Sequence, residues 1–125
     1  MSLKGSCSEL IAKLETCANH CEKLVNGSYP KAHCIQPAKD AAAMAKNFVA
    51  SCKQHSQNCA KPDCKQACHA CIPALEKAIE KANACASACG GAGSDQDAKE
   101  VARVCAQVCK AAVQVCKTAV GKFCA

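Results

Sequence analysis

Apolar positions along this chain recur in steps of three and four, and they do so in four separate stretches. In the first, residues 6–26, Cys7, Leu10, Leu14, Cys17, Cys21 and Leu24 fall on one helical face. Ser6 and Glu9 have the spacing of a capping box, and Asn26-Gly27 is a helix stop. A linker, residues 28–36, holds Pro30 and an isolated Cys34. The second helix is expected over residues 37–59, opening on Pro37 as a first-turn proline. Its stripe is Ala41, Met44, Ala45, Phe48, Cys52, His55 and Cys59. The third runs from Pro62-Asp63 to Gly90-Gly91, with Cys64, Cys68, Cys71, Leu75, Ala78 or Ile79, Ala82, Cys85 and Cys89 inward. Pro73 lies inside it and is expected to kink the helix or split it in two. The fourth follows Ser94 as N-cap, with Asp95 and Asp97 in the dipole-favoured first turn. Its stripe is Ala98, Ala102, Cys105, Cys109, Ala112, Cys116, Ala119 or Val120, and Phe123. Short connections between long helices favour antiparallel neighbours. The pattern therefore predicts an all-α fold, an antiparallel four-helix bundle spanning residues 1–125 as one domain.

Composition changes the nature of that core. The 125 residues include 15 cysteines but no Trp, one Tyr and two Phe, so hydrocarbon alone fills the interior thinly. Sulfur must supply the rest. Ala, Lys, Glu and Gln dominate elsewhere and favour helix, and no strand-like run of β-branched residues alternates. The net charge of +6 is spread singly along the helices, and Arg103 is the one arginine. Nucleic-acid binders concentrate such charge and add arginine and aromatic contacts, so a solvated lysine face is the reading here and no nucleic-acid partner is expected. No apolar run reaches membrane-spanning length, and no membrane partner is expected either. The first residues, Met1-Ser2-Leu3-Lys4-Gly5, lack a hydrophobic signal core. They fit a cytoplasmic start, or an exported protein whose leader has been removed.

The cysteines keep helical register. Cys17/Cys21, Cys64/Cys68, Cys85/Cys89 and Cys105/Cys109 are i,i+4 pairs, one turn apart on the same face. Cys52/Cys59 and Cys109/Cys116 extend such faces at i,i+7. Three chemistries compete for these sulfurs. Disulfides leave an odd thiol over, and i,i+4 thiols on one helix are poorly aimed at each other for an S–S bond. Structural zinc wants closed tetrahedra with short loop spacings, which only Cys68-x2-Cys71 offers. Several four-thiolate zinc sites would also load a low-dielectric interior with negative charge. Copper(I) is soft, takes two or three thiolates, and with bridging thiolates tends to one ion per sulfur, an electrically neutral assembly. It fits best. Cys64-x3-Cys68-x2-Cys71 also has the spacing that holds an iron–sulfur cluster in radical enzymes, but those enzymes are strand-and-helix barrels about twice this length. Candidate ligands are thus Cys7, Cys17, Cys21, Cys34, Cys52, Cys59, Cys64, Cys68, Cys71, Cys85, Cys89, Cys105, Cys109, Cys116 and Cys124.

Over its whole length the chain resembles the bacterial copper storage proteins, cysteine-lined four-helix bundles. The most specific part is Cys17-Ala18-Asn19-His20-Cys21 followed by a linker to Cys34. The resemblance implies a homotetramer of bundles, each taking up many Cu(I) ions through one open end. It carries Cys17, Cys21 and Cys34 over as copper ligands and places His20 near the mouth. His33 adjoins Cys34 and is a second candidate ligand there, while His55 and His69 belong to the other end. Exported members ring that mouth with methionines; here residues 22–33 contain none, which points to the cytoplasmic branch. The expected function is storage or buffering of Cu(I) without turnover, with a copper chaperone or recipient protein as possible partner. The alternatives are an iron–sulfur redox protein and a disulfide-stapled helical module. No catalytic constellation and no phosphate loop stands out, so no enzyme is expected.

Overall fold

The computed structural model describes residues 2–27, 29–91 and 93–123, which leaves Cys124 outside the described residues. Helix α1 spans Leu3–Asn26, a short 3-10 turn covers Lys31–Cys34, and α2 spans Ile35–Asn58. Helices α3 (Pro62–Gly90) and α4 (Asp95–Val120) complete the element order. The helices run alternately up and down, each packed on its chain neighbours, with α4 closing the ring against α1. The all-α bundle is as the periodicity predicts.

Ion pairs mark the register. Glu15 meets Lys117 at 3.3 Å and Glu22 meets Lys110, so seven steps forward on α1 match seven back on α4. Lys53 and Glu76 tie α2 to α3 at 3.4 Å. These pairs are exposed and each contributes little, about 0–1 kcal/mol. The fold is held by its inward stripes.

Those stripes are buried almost as predicted. Cys7, Leu10, Leu14, Cys17, Ala18, Cys21 and Leu24 face inward on α1. On α3 Ala78 takes the inward place rather than Ile79, and on α4 Ala119 rather than Val120. On α2, Ala38, Ala41, Ala42, Ala45, Phe48, Val49 and Cys52 are buried, while Met44 and His55 are only partly covered.

Three boundaries differ from expectation. The first helix starts at Leu3, and Ser2, not Ser6, is its cap, its hydroxyl accepting from the Gly5 N–H at 3.1 Å. Ser6 instead donates its own N–H to the Ser2 carbonyl, inside the first turn. The second helix begins two residues before Pro37, because the 3-10 turn feeds into it directly: the Ile35 N–H bonds to the Ala32 carbonyl. Pro37 still lies in the first turn, where N–H groups have no helical partner. Pro73 does not divide α3, which runs unbroken. It sits on the exposed face, so water can take the His69 carbonyl that loses its helical donor.

Candidate metal centre

Of the cysteines among the described residues, all but Cys59 are buried, none of these more than 3% exposed. Each is placed by the helical period, since an inward residue recurs after three or four positions. Cys59 follows the last residue of α2 and is half-buried.

The sulfurs gather into two groups. At the linker end, where the 3-10 turn and the α3–α4 connection lie, Cys17 Sγ is 3.8 Å from Cys105 Sγ, and Cys21 Sγ is 3.6 Å from Cys85 Sγ. The helical pairs Cys85/Cys89 and Cys105/Cys109 stand at 3.9 Å each. Two trios result, Cys17–Cys105–Cys109 and Cys21–Cys85–Cys105, with every sulfur of a trio within 4.8 Å of the others. They share Cys105. None of these separations is near the roughly 2.05 Å of a disulfide. They suit a metal: bonds of about 2.3 Å to three thiolates in a plane space the sulfurs about 4.0 Å apart, and to two in line about 4.6 Å. Cys34, from the 3-10 turn, donates its S–H to the His20 carbonyl at 3.4 Å and completes this group beside Cys89.

At the other end, where α2 turns into α3, the thiols come from all four helices. Cys116 of α4 interacts with Cys7 of α1 and Cys71 of α3, and Cys52 of α2 interacts with Cys68 of α3. Cys7 Sγ also lies 3.7 Å from the Cys116 carbonyl. Between the two groups runs an apolar layer of Leu10, Leu14, Leu75, Ala78 and Ala112, all buried. On α4 it separates Cys109 from Cys116 by about 10 Å of helix rise.

Electrostatics differ from one sulfur to the next. Contacts with the Cys105, Cys109 and Cys21 thiols hold the Cys17 thiol well below the ordinary range. Cys21, which serves Cys105, Cys17 and Cys85, is correspondingly pushed up. Burial pushes Cys34 and Cys89 up to about 12. Cys116 is raised by its contacts with Cys7 and Cys71.

The histidines divide differently from expectation. His20 is half-buried, with Nδ1 held by the Thr16 carbonyl at 2.8 Å, and His33 is exposed. Their rings flank Tyr29 edge-on, centroids 5.8 and 5.3 Å away. Neither joins a close group of three donors among the described residues. His69 is exposed. His55 does join one: its Nε2 stands 3.1 Å from Cys64 Sγ, and Cys59 completes the trio. In the sequence, His55 shares the stripe of Cys52 and Cys59, and its i,i+4 spacing to Cys59 is the signal for this trio. Cys64, Cys68 and Cys71, despite their cluster-like spacing, turn to three different neighbours: His55, Cys52 and Cys116. Taken together, these close groups of donors could hold metal ions.

Among the described residues no helix is long and apolar enough to cross a membrane. Comparison of the chain with protein-family models, curated proteins and solved structures finds no match in any of the three.

Proposed function

We propose that this protein stores or buffers Cu(I), holding many ions as thiolates along the bundle core. One observation carries the reading: two sulfur trios share a single thiol, Cys105, in an interior that buries further cysteines toward both ends. A shared sulfur implies neighbouring metal ions joined by a bridging thiolate. Charge then selects the metal. Each Cu⁺ that replaces one thiol proton leaves the interior's net charge unchanged, so loading at near one ion per sulfur carries no accumulating desolvation penalty. Two Zn²⁺ ions closed by thiolates from the same set would each keep excess negative charge in a dry core.

The cargo is bound and released, with no bond of a substrate broken, and the partners are a protein that delivers copper and one that receives it. The resemblance to copper storage proteins makes a homotetramer the expected assembly, and sedimentation of the reduced chain tests it. The deciding experiment is anaerobic titration of the reduced protein with Cu(I), followed by thiolate-to-copper absorption. Absorption that keeps rising to roughly one ion per buried thiol is expected. Saturation at one or two equivalents would overturn the storage reading.

A further inference from the structure

The His55–Cys59–Cys64 trio differs from every other close group of donors in the described residues: it combines nitrogen with sulfur and it reaches the surface. Local chemistry builds it. Pro62 occupies the first turn of α3 and disfavours helix for the residue before it, and Lys61 is extended with φ −84° and ψ 117°. That stops α2 one turn after His55. The Cys59 N–H still bonds to the His55 carbonyl at 2.9 Å, so the two side chains remain stacked one turn apart. The chain then reverses and brings Cys64, in the first turn of α3, against them. His55 and Cys59 are half-buried, Cys64 is buried, and an open cleft lined by Lys61, Asp63, Lys122 and Phe123 reaches Cys64 from outside.

Inward from Cys64 the path continues by sulfur. Cys68 lies one helical turn further along α3 and interacts with Cys52 across the core. Cys71, Cys116 and Cys7 follow. A soft ion can thus pass from an exposed donor set to buried thiolates by exchanging one ligand at a time. Among the described residues the linker end has no equivalent. Its outermost thiols, Cys34 and Cys89, are 1% and 3% exposed, and its histidines are engaged with Thr16 and Tyr29.

We infer that His55, Cys59 and Cys64 form a distinct metal site at the α2–α3 turn, through which Cu(I) exchanges between solution-borne carriers and the core. This rests on the storage reading. In the exchange Cu⁺ binds the Nε2 lone pair and two sulfurs, the two thiol protons leave to solvent, and no electron moves. A neutral imidazole donor suits a transfer site, because it binds Cu(I) less tightly than a third thiolate and yields the ion inward or outward.

The test loads wild type and His55→Ala to saturation under anaerobic conditions, and then times Cu(I) transfer to an excess of a soluble Cu(I)-chelating dye. His55→Ala is expected to keep its capacity within about one ion and to slow the first phase of release at least tenfold. His55→Met, which restores a neutral soft donor, is expected to recover most of the rate, as a purely structural role for His55 would not. His20→Ala and His33→Ala are expected to release at the wild-type rate. Unchanged release from His55→Ala, or equal slowing by the His20 and His33 variants, would overturn the inference while leaving storage intact. Wild type saturating at one or two ions, read before any dye is added, would overturn both.

Discussion

At the linker end the thiols come from α1, α3, α4 and the 3-10 turn, while α2 presents Ala38, Ala41, Ala42 and Ala45. At the turn end α2 supplies Cys52, all four helices contribute, and a mixed nitrogen–sulfur trio opens at the rim. The difference is one of neighbours. Beside an alanine face on α2, the linker-end sulfurs crowd together into trios that share Cys105. Where α2 carries sulfur and ends at a proline-directed turn, thiols form a ladder that reaches solvent. The same residue type thus makes fused, buried trios at one end and a mixed nitrogen–sulfur trio at the rim of the other, according to what the adjoining helix provides.

The largest effect should come from removing the fused sulfur. Cys17→Ala/Cys105→Ala takes a ligand from both trios, and is expected to lower Cu(I) capacity by roughly two to four ions. On the proposed route through the α2–α3 turn, the fast phase of release should persist. Titration and chelator transfer on one preparation measure both. A variant that loses the fast phase together with its capacity would show that the two ends load as one.

The apolar layer between the groups is the next target. Leu75 is fully buried there, and Leu75→Ala should destabilise the reduced, metal-free protein by about 2–5 kcal/mol. Urea unfolding followed by helical circular dichroism measures this. Capacity should hold, since no ligand is lost. The experiment also presumes that the metal-free chain keeps its helices, which leucine and alanine packing supports. A flat, unstructured spectrum before any urea would instead make metal the agent of folding.

Alkaline pH sharpens the contrast between sealed and loaded states. Cys34, Cys85 and Cys89 rise from the ordinary 9.0 to about 12 in the folded protein. Burial is the leading cause for Cys34 and Cys89, and contact with Cys105 for Cys85. Folded thiols therefore keep protons that the unfolded chain surrenders. The stabilisation is complete below pH 9 and is lost as pH rises through 12. Urea midpoints of the metal-free protein should fall across that window, while those of the copper-loaded protein, whose sulfurs hold metal in place of protons, fall less. Equal slopes for the two forms would count against thiol loading at the linker end.

Much of this was legible in the residues, for a definite reason. Helical period and cysteine spacing are the same three-and-four rhythm, so reading one reads the other, and the buried stripes follow. What eluded the pattern depends on contacts between helices. The separation of the thiols into two groups needs the axial alignment of α1, α3 and α4, although Leu10 and Leu14 between Cys7 and Cys17 foreshadow it. His20, which the resemblance places at the mouth, and His33 both adjoin cysteines in sequence. In space, Tyr29 and the Thr16 carbonyl engage them, and His55 meets Cys64 across a turn. Capping erred locally: Ser6-Glu9 and Ser2-Gly5 have the same spacing, and only the hydroxyl lying outside the first turn can accept from it.

The smallest expected effect compares the ends through their caps. Ser94 accepts the Asp97 N–H at 3.1 Å at the linker end, and Ser2 accepts the Gly5 N–H at the same distance at the other. Equal hydrogen bonds need not be equally important. The first turn of α4 carries buried Ala98 and is tied to the linker by Lys31, which meets Asp95 at 3.4 Å and the Gly93 carbonyl at 3.0 Å. Unwinding it exposes core and loosens the roof over Cys34 and Cys89. The first turn of α1 begins with a half-buried Leu3 and covers little. Ser94→Ala should therefore cost about 1 kcal/mol in urea unfolding, and Ser2→Ala only a few tenths. Ser94→Ala should also raise the rate at which a thiol reagent modifies Cys34 in the metal-free protein. If both caps proved equally costly, or Cys34 stayed equally protected, the linker end would owe its closure to the sulfur contacts alone.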